Sequence, residues 1–88
     1  ETTPKSRAAT YAADKQAKSE ERSRQRKLEA LENQIKVLEE QILGLEEQMT
    51  LPEIYQDYEA LQEIQAQLDN HKQELAQTYA AWEELLED

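Results

Sequence analysis

From Leu28 to Met49 the chain repeats one pattern. Leu28, Leu31, Ile35, Leu38, Ile42, Leu45 and Met49 follow a 3,4,3,4,3,4 spacing without a miss, and Glu, Gln, Lys and Asn fill most of the space between them. A helix of ~3.6 residues per turn brings such positions to one face, the seam of a coiled coil. A single narrow apolar stripe cannot be buried by the helix that carries it, so the pattern demands a partner. The second half of the chain supplies one, with Ile54, Tyr58, Leu61, Leu68, Leu75 and Trp82 in heptad step. The intervening seam positions admit two sets: Ile64, His71, Thr78 and Leu85, or Gln65, Lys72, Tyr79 and Leu86. The pattern favours a broadened stripe that draws on both.

Thr50-Leu51-Pro52-Glu53 separates the halves. Thr50 and Glu53 have the spacing of a capping box, Met49 and Ile54 that of a hydrophobic staple, and Pro52 suits a first helical turn, where its missing N–H has no helical acceptor. A break near Asp57 that leaves 52–57 as a separate short turn is also compatible with the pattern. In an antiparallel hairpin, facing residues have a constant index sum. Met49 with Ile54, Leu45 with Tyr58, Ile42 with Leu61, Ile35 with Leu68 and Leu28 with Leu75 all sum to 103.

The expected fold is therefore all-α: an antiparallel two-helix coiled-coil hairpin with a disordered basic N-terminal leader. Residues 1–18 are expected as a flexible linker and 19–88 as the hairpin. Its first helix should run from about 19 to 49, the turn over 50–53, and the second helix from about 54 to 86. Arms of about 30 residues span ~45 Å. Residues 1–10 are small and polar and contain Pro4; Tyr11–Lys27 are good helix formers without a seam, so helix is expected there only where it propagates back from Leu28. Gly44 costs about 1 kcal/mol relative to Ala inside a helix. Glu32 and Lys36 form an i,i+4 pair that contributes a few tenths of a kcal/mol.

The same register poses a question at the base. Beyond Leu28, the partners of Tyr79 and Trp82 become Arg24 and Glu21, so one arm turns polar while the other stays apolar. Three arrangements answer it: Arg24 stacks on Tyr79 or Trp82 as a cation–π pair, Ala12, Ala13 and Ala17 fold against Trp82, or the aromatic base docks on another surface.

Composition narrows the function. With 88 residues, one Gly, two Pro, no Phe and 34% charged residues, the chain has the profile of a long helical segment and no room for a cleft in a large core. The absence of Cys excludes disulfides, thiol nucleophiles and Cys-type zinc sites. No apolar run is long enough for a membrane span or a secretory signal. A chain opening on Glu1 without Met reads as a piece of a longer protein, soluble and intracellular by default.

The net charge of −10 hides an asymmetry. Residues 1–27 carry eight bases against four acids, while residues 28–88 carry only Lys36 and Lys72 against sixteen acids. Lys15, Lys18, Arg22 and Arg26 are spaced 3,4,4, which stacks them on one helical face. Such a row suits phosphate neutralisation, and together with Arg24 and Lys27 it forms the candidate nucleic-acid-binding set. The competing assignment is internal pairing with Glu83, Glu84, Glu87 and Asp88 across the hairpin.

Catalytic constellations are missing. His71 is the single His, far from Ser6, Ser19 and Ser23 in the expected hairpin, and Leu68 stands where a helical carboxylate metal bundle needs a Glu. Glu39/Glu40, Glu46/Glu47 and Glu83/Glu84 are expected as solvated faces, and one Gly rules out a phosphate-binding loop. The chain is read as a non-enzyme without a metal or cofactor of its own.

Three stretches resemble the C-terminal domain of ABC-F ATPases, the Uup-like group. They are Arg26-Lys27-Leu28-Glu29-Ala30-Leu31-Glu32 running into the seam, Leu51-Pro52-Glu53-Ile54-Tyr55-Gln56-Asp57-Tyr58 at the turn, and Tyr79-Ala80-Ala81-Trp82-Glu83-Glu84-Leu85 at the close. The resemblance covers about residues 15–88. It implies a cytoplasmic parent with two ATP-binding cassettes that use ATP and Mg, and an antiparallel two-helix coiled coil as its tail. It also implies work on nucleic acid, either DNA or ribosomal RNA in translation. The family's ATPase motifs map onto no position here. The leading expectation is a monomeric, non-catalytic arm that binds nucleic acid through its basic end. The alternative is a structural coiled coil that docks on the parent's ATPase domains or another protein through Tyr79 and Trp82.

Overall fold

The computed structural model describes residues 4–87, with side-chain surroundings from residue 13 onward. It consists of three helices: α1 (Pro4–Gln48), α2 (Pro52–Tyr55) and α3 (Tyr58–Glu87). α3 packs antiparallel against the second part of α1 as a hairpin, and the molecule measures 81 × 14 × 14 Å.

The seam of α1 is the expected one. Leu38, Ile42 and Leu45 are buried, and Leu28, Leu31, Ile35 and Met49 are half-buried. In α3 the choice between the two sets is clean rather than broadened. Leu61, Ile64, Leu68, His71, Leu75, Thr78, Trp82 and Leu85 turn inward in unbroken 3,4 alternation. Gln65, Lys72 and Leu86 are exposed and Tyr79 lies at the margin. A stripe that admitted both sets would be too wide for one facing helix, so a two-helix seam keeps only one. Of the polar members, Thr78 is satisfied locally, its Oγ1 donating to the Glu74 carbonyl at 2.7 Å, whereas His71 Nδ1 is buried without a partner. Ile42, Leu45, Ile64 and Leu68 form the core, with Met49, Ile54 and Leu75 packed against it.

The register differs from the expected one. A constant sum of 103 sets Glu32 opposite His71, yet Glu32 accepts a hydrogen bond from Trp82, three turns further along α3. Arg24 likewise reaches Leu85 and Leu86 rather than Tyr79. Tyr58, which the 103 register places on Leu45, is 72% exposed. The cause is the turn. The chain does not reverse over 50–53; the reversal takes 49–57 and includes α2, so the second arm starts at Tyr58 rather than near 54. The break near Asp57, the alternative to a turn over 50–53, is the one the chain makes.

Local hydrogen bonds explain the longer turn. Thr50 does not form the expected capping box with Glu53; its hydroxyl donates to the Glu47 carbonyl at 2.6 Å and so finishes α1. The residue before α2 is Leu51, which has no side-chain cap, with Pro52 in the first turn. α3 acquires its own cap instead: Asp57 Oδ1 accepts from the backbone N–H of Glu59 and Ala60 at 3.2 and 3.3 Å. An Asp at this position satisfies donors that have no partner inside the helix.

α1 also departs from expectation at its start. Residues 4–18 are helical where a flexible linker was expected, and residues 1–3 lie outside the described residues. Pro4 stands at the first helical position, where its fixed φ and missing N–H cost nothing. Ala, Lys, Gln, Glu and Arg then propagate the helix away from the zipped segment. Because α3 ends near Arg24, this stretch continues past the hairpin as a single helix, and residues 13–23 are all exposed.

Two substitutions test this packing. Leu68→Ala should lower hairpin stability by about 2–5 kcal/mol, whereas Tyr58→Ala should stay within about 0.5 kcal/mol. The 103 register demands a substantial loss from both; thermal and urea unfolding followed by circular dichroism separates the two. A Cβ built at Gly44 meets nothing within 4 Å, and its φ is ordinary. Gly44→Ala should therefore raise stability by about 1 kcal/mol, read as a higher urea midpoint.

Candidate nucleic-acid interface at the hairpin base

The six basic candidates divide by position. Lys15, Lys18 and Arg22 lie on the single-helix extension of α1, and Arg26 follows at the same face as the hairpin begins; all four are exposed. The row covers eleven residue steps, or ~16 Å of helix axis. Asp14 borders a shallow hollow with Lys15, Lys18 and Arg22, so one acid interrupts an otherwise cationic surface.

Arg24 has a different task. It occupies the seam position that continues the α1 alternation beyond Leu28, and it is half-buried. Its Nε donates to the Leu85 carbonyl and its Nη2 to the Leu86 carbonyl, both at 3.1 Å. The last four carbonyls of a helix lack intrahelical partners, and a cation there is favoured by the helix dipole. The guanidinium fork thus closes the end of α3 across the hairpin. A weaker ion pair with Glu21 at 3.6 Å holds it from its own helix. The expected stacking of Arg24 on Tyr79 or Trp82 does not occur, because the slipped register brings α3's carbonyls to Arg24 instead of its rings. Ala13 and Ala17 are exposed rather than folded on Trp82, and the side chain of Ala12 lies outside the described residues.

Lys27 sits at the rim of an apolar hollow of about 450 Å³, lined also by Ala30, Leu31, Ala81, Glu84 and Leu85. Among the described residues, no ion pair joins the basic segment to Glu83, Glu84 or Glu87, and Asp88 lies outside them. Among the described residues the internal neutralisation weighed from the sequence is therefore not formed, and Lys15 and Lys18 lie on the part of α1 that extends past the end of α3.

The two aromatic candidates are engaged within the hairpin. Tyr79 and Trp82 form a T-shaped pair, centroids 6.4 Å apart and planes at 83°. Trp82 Nε1 donates to Glu32 Oε1 at 3.2 Å, and the Tyr79 hydroxyl donates to Glu39 Oε1. Two acids of α1 thereby hold the aromatic end of α3. Sequence reasoning missed this role: it paired Glu32 with Lys36, and the register error hid both acids from the rings. No group of His, Asp or Glu among the described residues could hold a metal ion, and no described helix is long and apolar enough to cross a membrane.

The hydrogen bond to Glu39 is the first cause raising the Tyr79 pKa above 10.0, followed by partial desolvation and the charge of Glu39. A raised phenol pKa means the folded state favours the neutral ring. Its stabilisation is complete below pH 10.0 and is lost as pH climbs through the folded-state value. Glu39→Gln should bring the tyrosinate absorbance transition of Tyr79 back toward 10.0 and flatten the alkaline loss of stability. An unchanged titration in that variant overturns the assignment.

No curated protein and no solved structure matches the chain. Residues 19–87 match the family model described as ABC transporter C-terminal domain. The match begins at Ser19, beyond the first part of the α1 extension, and takes in the seam, the turn and the aromatic close of α3. A seam-zipped hairpin is what residues 19–87 form, and the chain belongs to the ABC transporter C-terminal domain family.

Proposed function

We propose that the chain is the non-catalytic C-terminal arm of an ABC-F ATPase of the Uup-like kind, and that it contributes to binding DNA or ribosomal RNA through its basic end. The parent is cytoplasmic and uses ATP with Mg in its cassettes; the arm itself works as a monomer without a cofactor. The observation that carries the nucleic-acid reading is the exposed row Lys15, Lys18, Arg22 and Arg26, which starts on the extension of α1 beyond α3 and ends where the hairpin begins. A single helix is ~10–12 Å across and fits a major groove ~12 Å wide, whereas the double-helix hairpin is too thick. Phosphate pairing along such a row is electrostatic and indifferent to base sequence.

Anisotropy titrations of duplex DNA and of an RNA hairpin over a salt series test the reading. Four phosphate contacts predict a slope of log Kobs against log salt near −3.6 on duplex DNA, with each Lys→Ala or Arg→Ala change in the row reducing its magnitude by about 0.9. Arg24→Ala should leave the slope in place and lower stability by about 1 kcal/mol, because its bonds close α3. Absence of binding at low salt, or a slope indifferent to the row, overturns the proposal.

A second reading has its own support. The hollow between Leu31, Ala81 and Leu85 lies in the same part of the hairpin as the Tyr79–Trp82 pair and would suit docking on the parent's ATPase domains. A shift in Trp82 fluorescence on adding those domains, unaffected by nucleic acid, favours it.

A further inference from the structure

The opposite end of the molecule has exposed apolar side chains that the hairpin does not use. Leu51 is 43% exposed, Tyr55 51% and Tyr58 72%; the first two lie in the reversal and the third opens α3. Local stability does not account for them. Leu51 precedes α2 at a position where Ser, Thr, Asp or Asn would satisfy a free N–H, and it offers no such bond. Tyr58 is left largely in solvent, and its hydroxyl accepts from Gln62 Nε2 at 2.9 Å.

The platform beneath them is well tied. Leu51 O accepts from the N–H of Ile54 and Tyr55 at 2.9 and 3.0 Å, and Pro52 O from Gln56 at 3.0 Å. Ile54 packs into the core and Asp57 caps α3, so the exposed side chains project from a fixed backbone. Aromatic anchors on a pre-ordered support are the ordinary make-up of a binding hot spot.

The surrounding charge selects the occupant. From Val37 to His71 there are nine acids and no Lys or Arg. Nucleic acid, an anionic membrane and a second copy of this acidic end would all be repelled. A basic protein surface would be attracted, and guanidinium groups can stack on tyrosine rings while their charge faces the carboxylates. We propose that Leu51, Tyr55 and Tyr58 form a docking site for an arginine-rich protein segment. The arm would then be two-ended, with phosphates at the basic end and a cationic protein at the tip.

The test uses the 88-residue chain and a synthetic peptide alternating Arg with Leu, alongside versions carrying Lys or Glu in place of Arg. The Arg peptide should bind best, the Lys peptide more weakly and the Glu peptide not at all, with backbone amide shifts confined to about residues 50–60. Replacing Leu51, Tyr55 and Tyr58 with Ser should weaken Arg-peptide binding about tenfold or more, with helix content and duplex-DNA binding unchanged. Tyr58→Ser alone, at the most exposed of the three, keeps the test valid if the triple variant unfolds. The proposal is overturned if the Ser variants bind equally well, if Lys matches Arg, or if shifts spread evenly along the acidic arm. Tip-dependent self-association in sedimentation, or tip-dependent binding to phosphatidylcholine vesicles, overturns it as well.

Discussion

Mutual burial of two narrow stripes is the contact on which everything else rests. Neither arm has a second apolar face, and isolated helices of this composition are marginal in water. Zipping α1 to α3 removes Leu38, Ile42, Leu45, Ile64 and Leu68 from solvent and makes both helices permanent at once. The extension of α1 is a by-product of that event. Once Leu28 is held in helical form, the Ala-, Lys- and Arg-rich residues before it continue the helix at little cost, and residues 13–23 stay exposed beyond the contact that Arg24 makes with the end of α3.

The sequence made the fold class and the α1 seam readable, since a 3,4 alternation from Leu28 to Met49 has few structural outcomes. It did not disclose the register. Heptad patterns resemble themselves after a slip, so several alignments bring apolar residues face to face. The length of the reversal decides between them, and that depends on cap chemistry two or three residues wide. Thr50 can finish one helix or start the next; here it donates to Glu47 and the start passes to Pro52. Asp57 then opens α3. Both side chains were visible in the sequence, but their partners depend on which helix claims them.

The candidate site was legible to the same partial degree. Spacing alone placed Lys15, Lys18, Arg22 and Arg26 on one face, and the structure keeps them exposed there. It could not separate Arg24 from them, because that depends on where α3 stops. Membership in the solvent row and membership in the seam differ by two residues along the helix. Arg24 carries its charge into the hairpin because its fork meets two free carbonyls, a task that lysine's single ammonium would perform less well.

The unbroken course of α1 has a mechanical consequence. One continuous helix runs from the basic end through the hairpin, and the molecule is 81 Å long but only 14 Å wide. α1 has neither an interior Pro nor a helical break from Pro4 to Gln48, so whatever grips the near end also aims the far one. A slight tilt at the grip becomes a large sweep at the tip, so the arm can act as a pointer whose direction is set by its anchorage rather than by its own flexing.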